Sequence, residues 1–465
     1  MIFASFEFLF LFLPTFFAAY FLTPARLRNW PILILSWAFY AWWRVDFLAL
    51  LAGVTLFTYL VARGMDACGV RSRAGKRLLL LGLAGNLGVL AWFKYANFGV
   101  ETLNALRAGW GLAPMGWAEI LLPIGLSFYV LQSVSYLVDL YRGDVPVSRR
   151  FVDYAAYKAI FSQLIAGPIV RYAEIQQDLT SRTHGLALFG LGARRFMLGF
   201  AAKVLVADTL APMVEAAFGL PAPSLAEAWT GAVAYALQLF FDFAGYSAMA
   251  IGLALMCGFR FPENFAHPYL AGSIQEFWQR WHMTLSRFLR DYLYIPLGGS
   301  RHGPVRTYVN LLATMVIGGF WHGANWTFLL WGAWHGGLLA LHRGWSRRGG
   351  RLPWLLANPL LLLAVVIGWV TFRAPSIEAT WAMYRGMLGL NGAGFTDALP
   401  WQVTPDQWWC LGIAGGLVYA PALLRGRVPE ALVRVAWWGG PLLGFLVGIV
   451  ALYSRAAVPF LYFQF

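Results

Sequence analysis

Apolar segments follow one another along the whole chain and leave few polar residues between them. Thirteen can be distinguished, at 6–23, 30–43, 46–62, 78–97, 119–139, 152–170, 187–209, 228–256, 308–325, 327–342, 354–372, 407–424 and 436–455. A helix needs about 20 mostly apolar residues to cross a bilayer. Only 12% of the 465 residues are charged, against about a quarter in soluble domains. The sequence therefore predicts an all-α polytopic membrane protein that forms a single domain over residues 1–465.

Several of these segments are too short to cross a bilayer alone. Stretches such as 30–43 and 327–342 suggest broken or re-entrant helices that neighbouring helices bury. We expect about eleven transmembrane helices, with re-entrant and amphipathic helices around a central tunnel. The first segment has neither a basic region before it nor a cleavage site, which predicts a retained helix. Segment 373–406, rich in Gly, Pro, Thr and Asp, is predicted to be a surface excursion.

The net charge of +14 comes from basic residues in short loops between apolar segments. Loops 63–77 and 342–351 are the densest, and the positive-inside rule places both in the cytoplasm. This distribution favours contact with anionic membrane lipid and argues against nucleic acid as a partner. The three cysteines are isolated from one another, so we expect no zinc site, no other metal and no disulfide framework.

Segment 273–303 is too polar for a simple membrane span, yet it has a helical pattern. Glu276 and Arg280 are spaced as an i,i+4 ion pair, and so are Arg287 and Asp291. The pattern predicts one amphipathic helix that ends near Pro296. One apolar face of that helix would carry Trp278, His282, Leu285 and Leu289.

The stretch 'GGFWHGANWTFLLWGAWHG' (318–336) carries two histidines through an apolar run. His335, near a predicted helix end, is interpreted as structural. His322 is different, because an ionisable group at membrane depth is costly and marks a functional site. A neutral imidazole there can take a proton from an attacking hydroxyl, which typically accelerates a reaction roughly 10²–10⁴-fold. Asn325 is interpreted as a polar lining residue.

The combination of 'EFWQRWHMTLSRFLRDYLYIPLGGSR' (276–301) with the 318–336 stretch resembles the membrane-bound O-acyltransferase family, and most of all its bacterial alginate O-acetyltransferase branch. The stretches 122–143, 161–172 and 241–278 and the tail 'AVPFLYFQF' agree. The resemblance implies a helical bundle around a tunnel with a catalytic core over about 119–345. It also implies that His322 is the catalytic base or a transient acyl acceptor, assisted by His282.

The resemblance further implies acetyl-CoA as a cytoplasmic donor substrate, with no permanently bound cofactor. The acetyl group would pass through periplasmic acetyltransferase partners to an exported, alginate-like polysaccharide, which places the protein in a bacterial inner membrane. Further residues are expected to line the tunnel or support the site: Asn325, Trp321, Trp278, Arg287 and Asp291.

Two other functions stay open on the sequence alone. The same family includes enzymes that transfer D-alanyl groups from a carrier protein to teichoic acid. Broken helices with intramembrane polar residues also occur in transporters. A transporter gives no reason for the pairing of His282 with His322, and the sequence contains no evident inverted repeat.

Overall fold

The computed structural model describes residues 1–424, 427–454 and 458–461, without the side chains of 431–435. Every regular element in this part of the chain is a helix, which confirms the predicted all-α class. Six helices are long and apolar enough to cross a membrane: Val45–Ala67, Arg73–Gly109, Leu186–Phe218, Leu225–Met256, Trp354–Arg373 and Ala436–Ser454. The crossing number of about eleven stays a prediction, since shorter helices can cross only when tilted or broken.

The described chain forms two compact units, and the single domain predicted from the sequence remains a prediction. Unit 1 comprises Met1–Gly192 and Ala250–Pro262, and unit 2 comprises Ala193–Met249 and Glu263–Phe465. Unit 1 contains the helices Glu7–Phe12, Leu13–Leu22, Asn29–Ala41, Val45–Ala67, Arg73–Gly109, Leu126–Arg142, Phe151–Ala159, Phe161–Leu164 and Tyr172–Thr180. Its first helices pack their aromatic side chains around Phe161, whose ring lies 4.7 Å from that of Phe16.

Unit 2 contains both histidines of interest. Two helices, Leu186–Ala201 and Leu225–Met256, have residues in both units. The short helix Ala25–Leu27 also lies in unit 1. The other helices belong to unit 2: Ala202–Ala207, Asp208–Phe218, Pro268–Leu270, Ile274–Arg280, Met283–Leu289, Arg290–Tyr294, Gly303–His322, Trp326–Arg347, Trp354–Arg373, Ile377–Met387, Pro400–Gln402, Pro405–Leu423 and Glu430–Ser454.

A helical hairpin, made of Gly303–His322 and Trp326–Arg347, is the frame on which unit 2 holds its histidines. The two helices touch at Gly319 and Gly332. A methyl group on either glycine would overlap backbone atoms of the opposite helix. Small residues at such a crossing let helices approach closely where lipid supplies no hydrophobic drive. The crossing fixes His322, three residues after Gly319, at the end of its helix.

The prediction of a single amphipathic helix over 273–295 is wrong. The chain forms Ile274–Arg280 and Met283–Leu289, with His282 between them in the left-handed region at φ 42°. Hydrogen bonds from a neighbouring segment cause the break. The Ala266 amide donates to the Arg280 carbonyl at 3.0 Å, and the Met283 amide donates to the Asn264 carbonyl at 2.9 Å. The predicted face therefore does not run continuously through His282.

Segment 373–406 is more ordered than the predicted surface excursion. Helix Ile377–Met387 begins after Ser376, whose hydroxyl accepts a hydrogen bond from the Ala379 amide at 3.2 Å. The helix buries Met383 and Met387 in a small hydrophobic cluster of unit 2. Glycine and proline flank this helix rather than replace it, which explains why composition alone predicted a surface excursion.

Candidate active site

His282 and His322 meet inside unit 2, although 39 residues separate them in the sequence. Their ring centroids lie 6.4 Å apart, with 53° between the planes. His322 is the last residue of helix Gly303–His322, and His282 occupies the break between two short helices. Both side chains are buried. The pair that the sequence predicted is thus brought together by two helix ends.

Asn264 holds His282 in a defined orientation. Its Oδ1 accepts hydrogen bonds from the Thr284 amide at 3.3 Å and the Thr284 hydroxyl at 2.9 Å, and lies 3.1 Å from His282 Nδ1. Its Nδ2 donates to the Ser247 hydroxyl at 3.1 Å. Because a backbone amide can only donate, the amide oxygen must face this cluster, so His282 Nδ1 carries the hydrogen and Nε2 carries the lone pair.

His282 lies outside the six candidate spans, and burial lowers the pKa of its imidazole because the charged form is poorly accommodated away from water. The ring is therefore neutral near pH 7. A neutral imidazole with a fixed tautomer can accept a proton at one defined atom, as acid–base chemistry requires.

Replacing Asn264 with alanine should loosen His282 without removing it. The variant takes away the acceptor shared by His282 and both Thr284 donors, and an unsatisfied buried group costs about 1–3 kcal/mol. We expect acyl transfer to fall about 10-fold, with the protein still folded. Steady-state rates of the purified variant, compared with those of the exposed control His267→Gln, measure this. A rate equal to that of the wild type would contradict the role of Asn264.

Aromatic rings enclose the two imidazoles. Trp321, Trp331 and Phe372 have ring centroids 5.0, 5.2 and 5.3 Å from that of His322. The Phe243 ring meets His282 edge-on at 4.7 Å. Walls of this kind exclude water, and a polar interaction within them is stronger than it would be in solvent. The arrangement suits proton transfer and stabilisation of a developing charge.

The other residues predicted from the sequence lie in different settings. Trp278 and Trp321 are buried. Asn325 caps helix Trp326–Arg347, since its Oδ1 accepts from the Thr327 amide and its Nδ2 donates to the Pro375 carbonyl. Asp291 pairs with Arg290 at 2.7 Å. The predicted pair of Glu276 and Arg280 is present at 2.5 Å.

Two cavities open in unit 2 beside the helical hairpin. The smaller has a volume of about 360 Å³, and its lining includes Trp278, Arg287 and Arg290. The larger, which we call the basic cavity, has a volume of about 1110 Å³. It is lined by residues of 272–274, 338–352 and 357–364 together with Tyr308, and its cationic residues are Arg348 and Arg351. Guanidinium groups at a cavity mouth attract anionic ligands.

A buried ion triad, which the sequence analysis missed, supports the wall beside His282. Lys203 Nζ lies 2.5 Å from Asp208 Oδ1 and 2.7 Å from Asp242 Oδ1. The Leu461 amide donates to Asp242 Oδ2 at 2.9 Å. Charged residues inside apolar segments were the available signal, because such residues are rare in lipid and usually meet a partner.

The segment at 458–461 adds a second layer to this wall. Phe460 is buried and stacks on Tyr246, with ring centroids 4.5 Å apart. It also lies 5.7 Å from Phe243, the ring that meets His282. The support of His282 thus extends from helix Leu225–Met256 to residues near position 460.

Comparison with known proteins identifies the family of this chain. The sequence model of MBOAT, the membrane-bound O-acyltransferase family, matches residues 120–357, and this range includes both histidines. The chain is 51% identical over 520 residues to a probable alginate O-acetylase AlgI of Pseudomonas syringae pv. tomato, and 45% identical over 510 residues to that of Azotobacter vinelandii, with 100% of each chain covered. It is 38% identical over 424 residues to a peptidoglycan O-acetyltransferase of Helicobacter pylori, covering 83% of this chain and 79% of the relative. The chain therefore belongs to the membrane-bound O-acyltransferase family and is a multi-pass membrane O-acyltransferase.

Proposed function

We propose that the protein transfers acetyl groups from acetyl-CoA to hydroxyl groups for the O-acetylation of an exported, alginate-like polysaccharide. The observation that carries the proposal is the buried pair of His282 and His322, with ring centroids 6.4 Å apart. Relatives that match the whole chain are named as probable alginate O-acetylases, which supports acetyl as the cargo and a polysaccharide as its destination.

His322 acts as the general base in this proposal. It takes the proton of the acceptor hydroxyl as the oxygen attacks the carbonyl carbon of the thioester. A carbon–oxygen bond forms, the carbon–sulfur bond breaks, and the coenzyme A thiolate leaves with the proton returned from the imidazole. In the overall reaction the acetyl group moves from the donor sulfur to the acceptor oxygen, and one hydrogen moves from the acceptor oxygen to the donor sulfur. General-base assistance of this kind is worth roughly 10²–10⁴ in rate.

His282 orients the reacting groups or passes the proton to the leaving sulfur. Because its Nδ1 is held by Asn264 Oδ1, the basic atom of His282 is Nε2, which carries the lone pair. The aromatic rings around His322 keep bulk water from the thioester, so that transfer outruns hydrolysis.

The donor approaches from the cytoplasm through the basic cavity in this proposal. Arg348 and Arg351 line the cavity and belong to the loop that the positive-inside rule places in the cytoplasm. Coenzyme A is too highly charged to cross lipid, whereas an acetyl group is small and neutral. A passage at the histidine pair, open in turn to each side of the bacterial inner membrane, would let an acceptor hydroxyl on the periplasmic side take the acetyl group for periplasmic acetyltransferase partners, while coenzyme A stays in the cytoplasm.

Purified protein should release free thiol from acetyl-CoA when a soluble uronic acid oligosaccharide is supplied at high concentration as a hydroxyl acceptor in place of the periplasmic partners. The expected product is an oligosaccharide heavier by one acetyl group, detected by mass spectrometry with isotope-labelled acetyl-CoA. The matched arm offers a D-alanyl carrier protein in place of acetyl-CoA. If the protein transfers only D-alanyl groups and no acetyl groups, the proposed cargo is wrong. If labelled acetyl appears neither on the oligosaccharide nor as free acetate, the proposed reaction is wrong.

A further inference from the structure

His335 is a buried histidine that the proposed reaction does not use. Neither of its ring nitrogens has a hydrogen-bond partner among the residues that the structure describes. Its ring neighbours are all aromatic: Phe277, Trp278, Trp331 and Trp369, with centroids between 4.9 and 6.3 Å away. A buried polar group without a partner destabilises a protein, so its presence calls for a ligand or another explanation.

Three indoles beside His335, those of Trp278, Trp331 and Trp369, share this property. The Nε1 atoms of Trp278 and Trp331 are buried and have no hydrogen-bond partner in the described chain. The rings of His335, Trp278 and Trp331 contact one another. The Trp278 centroid lies 5.3 Å from that of His335 and 5.7 Å from that of Trp331, and the centroids of Trp331 and His335 are 4.9 Å apart. Three side chains with N–H groups therefore gather at one place without a protein acceptor.

His335 stands between the basic cavity and the catalytic pair. Trp331, His335, Leu338 and His342 follow one another on helix Trp326–Arg347 at spacings of 4, 3 and 4, which puts them on one face. Leu338 and His342 line the basic cavity. At the other end, the Trp331 ring meets that of His322 at 5.2 Å. A single helix face thus leads from the cavity past His335 to His322.

Gly368 packs directly against one edge of the buried His335 imidazole. A methyl group at this glycine would lie 2.8 Å from His335 Nε2. Gly368 lies one helical turn beyond Ala364, which lines the basic cavity. The absence of a side chain at Gly368 therefore lets the helix that flanks the cavity pack directly against the Nε2 edge of the imidazole.

We propose that His335, with the N–H groups of Trp278 and Trp331, binds the amide nearest the sulfur in a pantetheine-type thioester, a subsite that rests on the acyl transfer proposed above. A secondary amide offers one donor and one acceptor, and so does a neutral imidazole. Two methylenes separate this amide from the sulfur, which puts it about 5 Å from the thioester carbon by ordinary bond lengths. His335 and His322 both contact the Trp331 indole, with ring centroids 4.9 and 5.2 Å from the indole centroid.

The test compares two small thioesters with each protein variant. S-acetyl-N-acetylcysteamine contains the amide, and S-pentyl thioacetate replaces it with methylenes of similar length. Thiol release gives kcat/KM for each donor. Wild-type protein should prefer the amide-containing thioester about 10-fold, as one buried polar contact predicts. His335→Leu should use both thioesters equally, and His335→Gln, which can donate and accept, should regain part of the preference.

Two glycine variants provide a matched pair that keeps the histidine. Gly368→Ala places a methyl against His335 Nε2 and should reduce the preference, whereas Gly337→Ala has open space around the new methyl and should leave it unchanged. This pair stays informative if His335→Leu does not fold. An unchanged preference in both Gly368→Ala and His335→Gln, or no preference in the wild type, would overturn the subsite.

The outcome separates the subsite from the reaction itself. If His322→Gln releases thiol at the wild-type rate, the proposed function fails whatever His335 does. If His322→Gln is inactive while the His335 variants discriminate like the wild type, only the subsite fails. Coenzyme A and acyl carrier proteins have the same pantetheine amide. His335→Leu should therefore slow transfer from acetyl-CoA and from acetyl-carrier protein by equal factors. Whichever of these two donors the wild-type protein uses faster is identified as the source of the acetyl group.

Discussion

His322→Gln should reduce acyl transfer by roughly 10²–10⁴, the range that general-base assistance supplies. Glutamine is close to histidine in size and can donate and accept hydrogen bonds, but it cannot take up a proton near pH 7. The aromatic rings around position 322 should therefore keep their packing while the chemistry is lost. Initial rates of thiol release from acetyl-CoA, with protein matched for yield and thermal transition, measure the effect.

The control for this variant lies at the other end of the same helix. His302 precedes Gly303, is exposed, and is 20 residues from His322. His302→Gln should keep the wild-type rate, because it changes a solvated surface residue. A His322→Gln enzyme that retains more than about a tenth of the wild-type rate would remove this residue from the role of base, because such assistance is worth at least about 10².

Lys203→Met should produce the largest loss of stability in unit 2. The lysine faces Asp208 and Asp242 with all three side chains nearly inaccessible. Breaking a buried ion pair by removing one partner costs about 3–5 kcal/mol, because the remaining charge stays buried. We expect a lower yield and a thermal transition in detergent lower by many degrees, measured by tryptophan fluorescence or light scattering.

An exposed ion pair in the same unit gives the comparison. Glu263, half exposed, pairs with Arg195, and Glu263→Gln should change stability by less than about 1 kcal/mol. The triple variant Lys203→Met, Asp208→Asn and Asp242→Asn should recover much of the loss, because it buries no net charge. A single Lys203→Met as stable as Glu263→Gln would show that the triad contributes little.

The main features of this fold and site were accessible from the sequence because lipid imposes strong constraints. Apolar segments at 46–62, 354–372 and 436–455 became the helices Val45–Ala67, Trp354–Arg373 and Glu430–Ser454. The pairing of His282 with His322 was expected from the resemblance to a family, together with the cost of an imidazole among apolar residues. Both kinds of information are local to short stretches of sequence.

What escaped prediction depends on contacts between distant segments. The break at His282 arises from hydrogen bonds with residues 264–266, which helical periodicity cannot reveal. Asn264 shows no special pattern in the sequence, yet its amide fixes the orientation of the His282 ring. His335 was interpreted as structural because its burial without a protein partner is visible only in three dimensions.

Phe460 has a consequence for how the protein is made. It closes the wall beside Phe243 and His282, and the Leu461 amide completes the contacts of Asp242, yet both residues come later in the chain than every other part of the site. During translation the two histidines are therefore synthesised well before Phe460 and Leu461, the last residues of their surroundings. A chain interrupted between positions 323 and 459 would contain both histidines but lack the two residues that complete their enclosure, so we expect such a chain to be inactive.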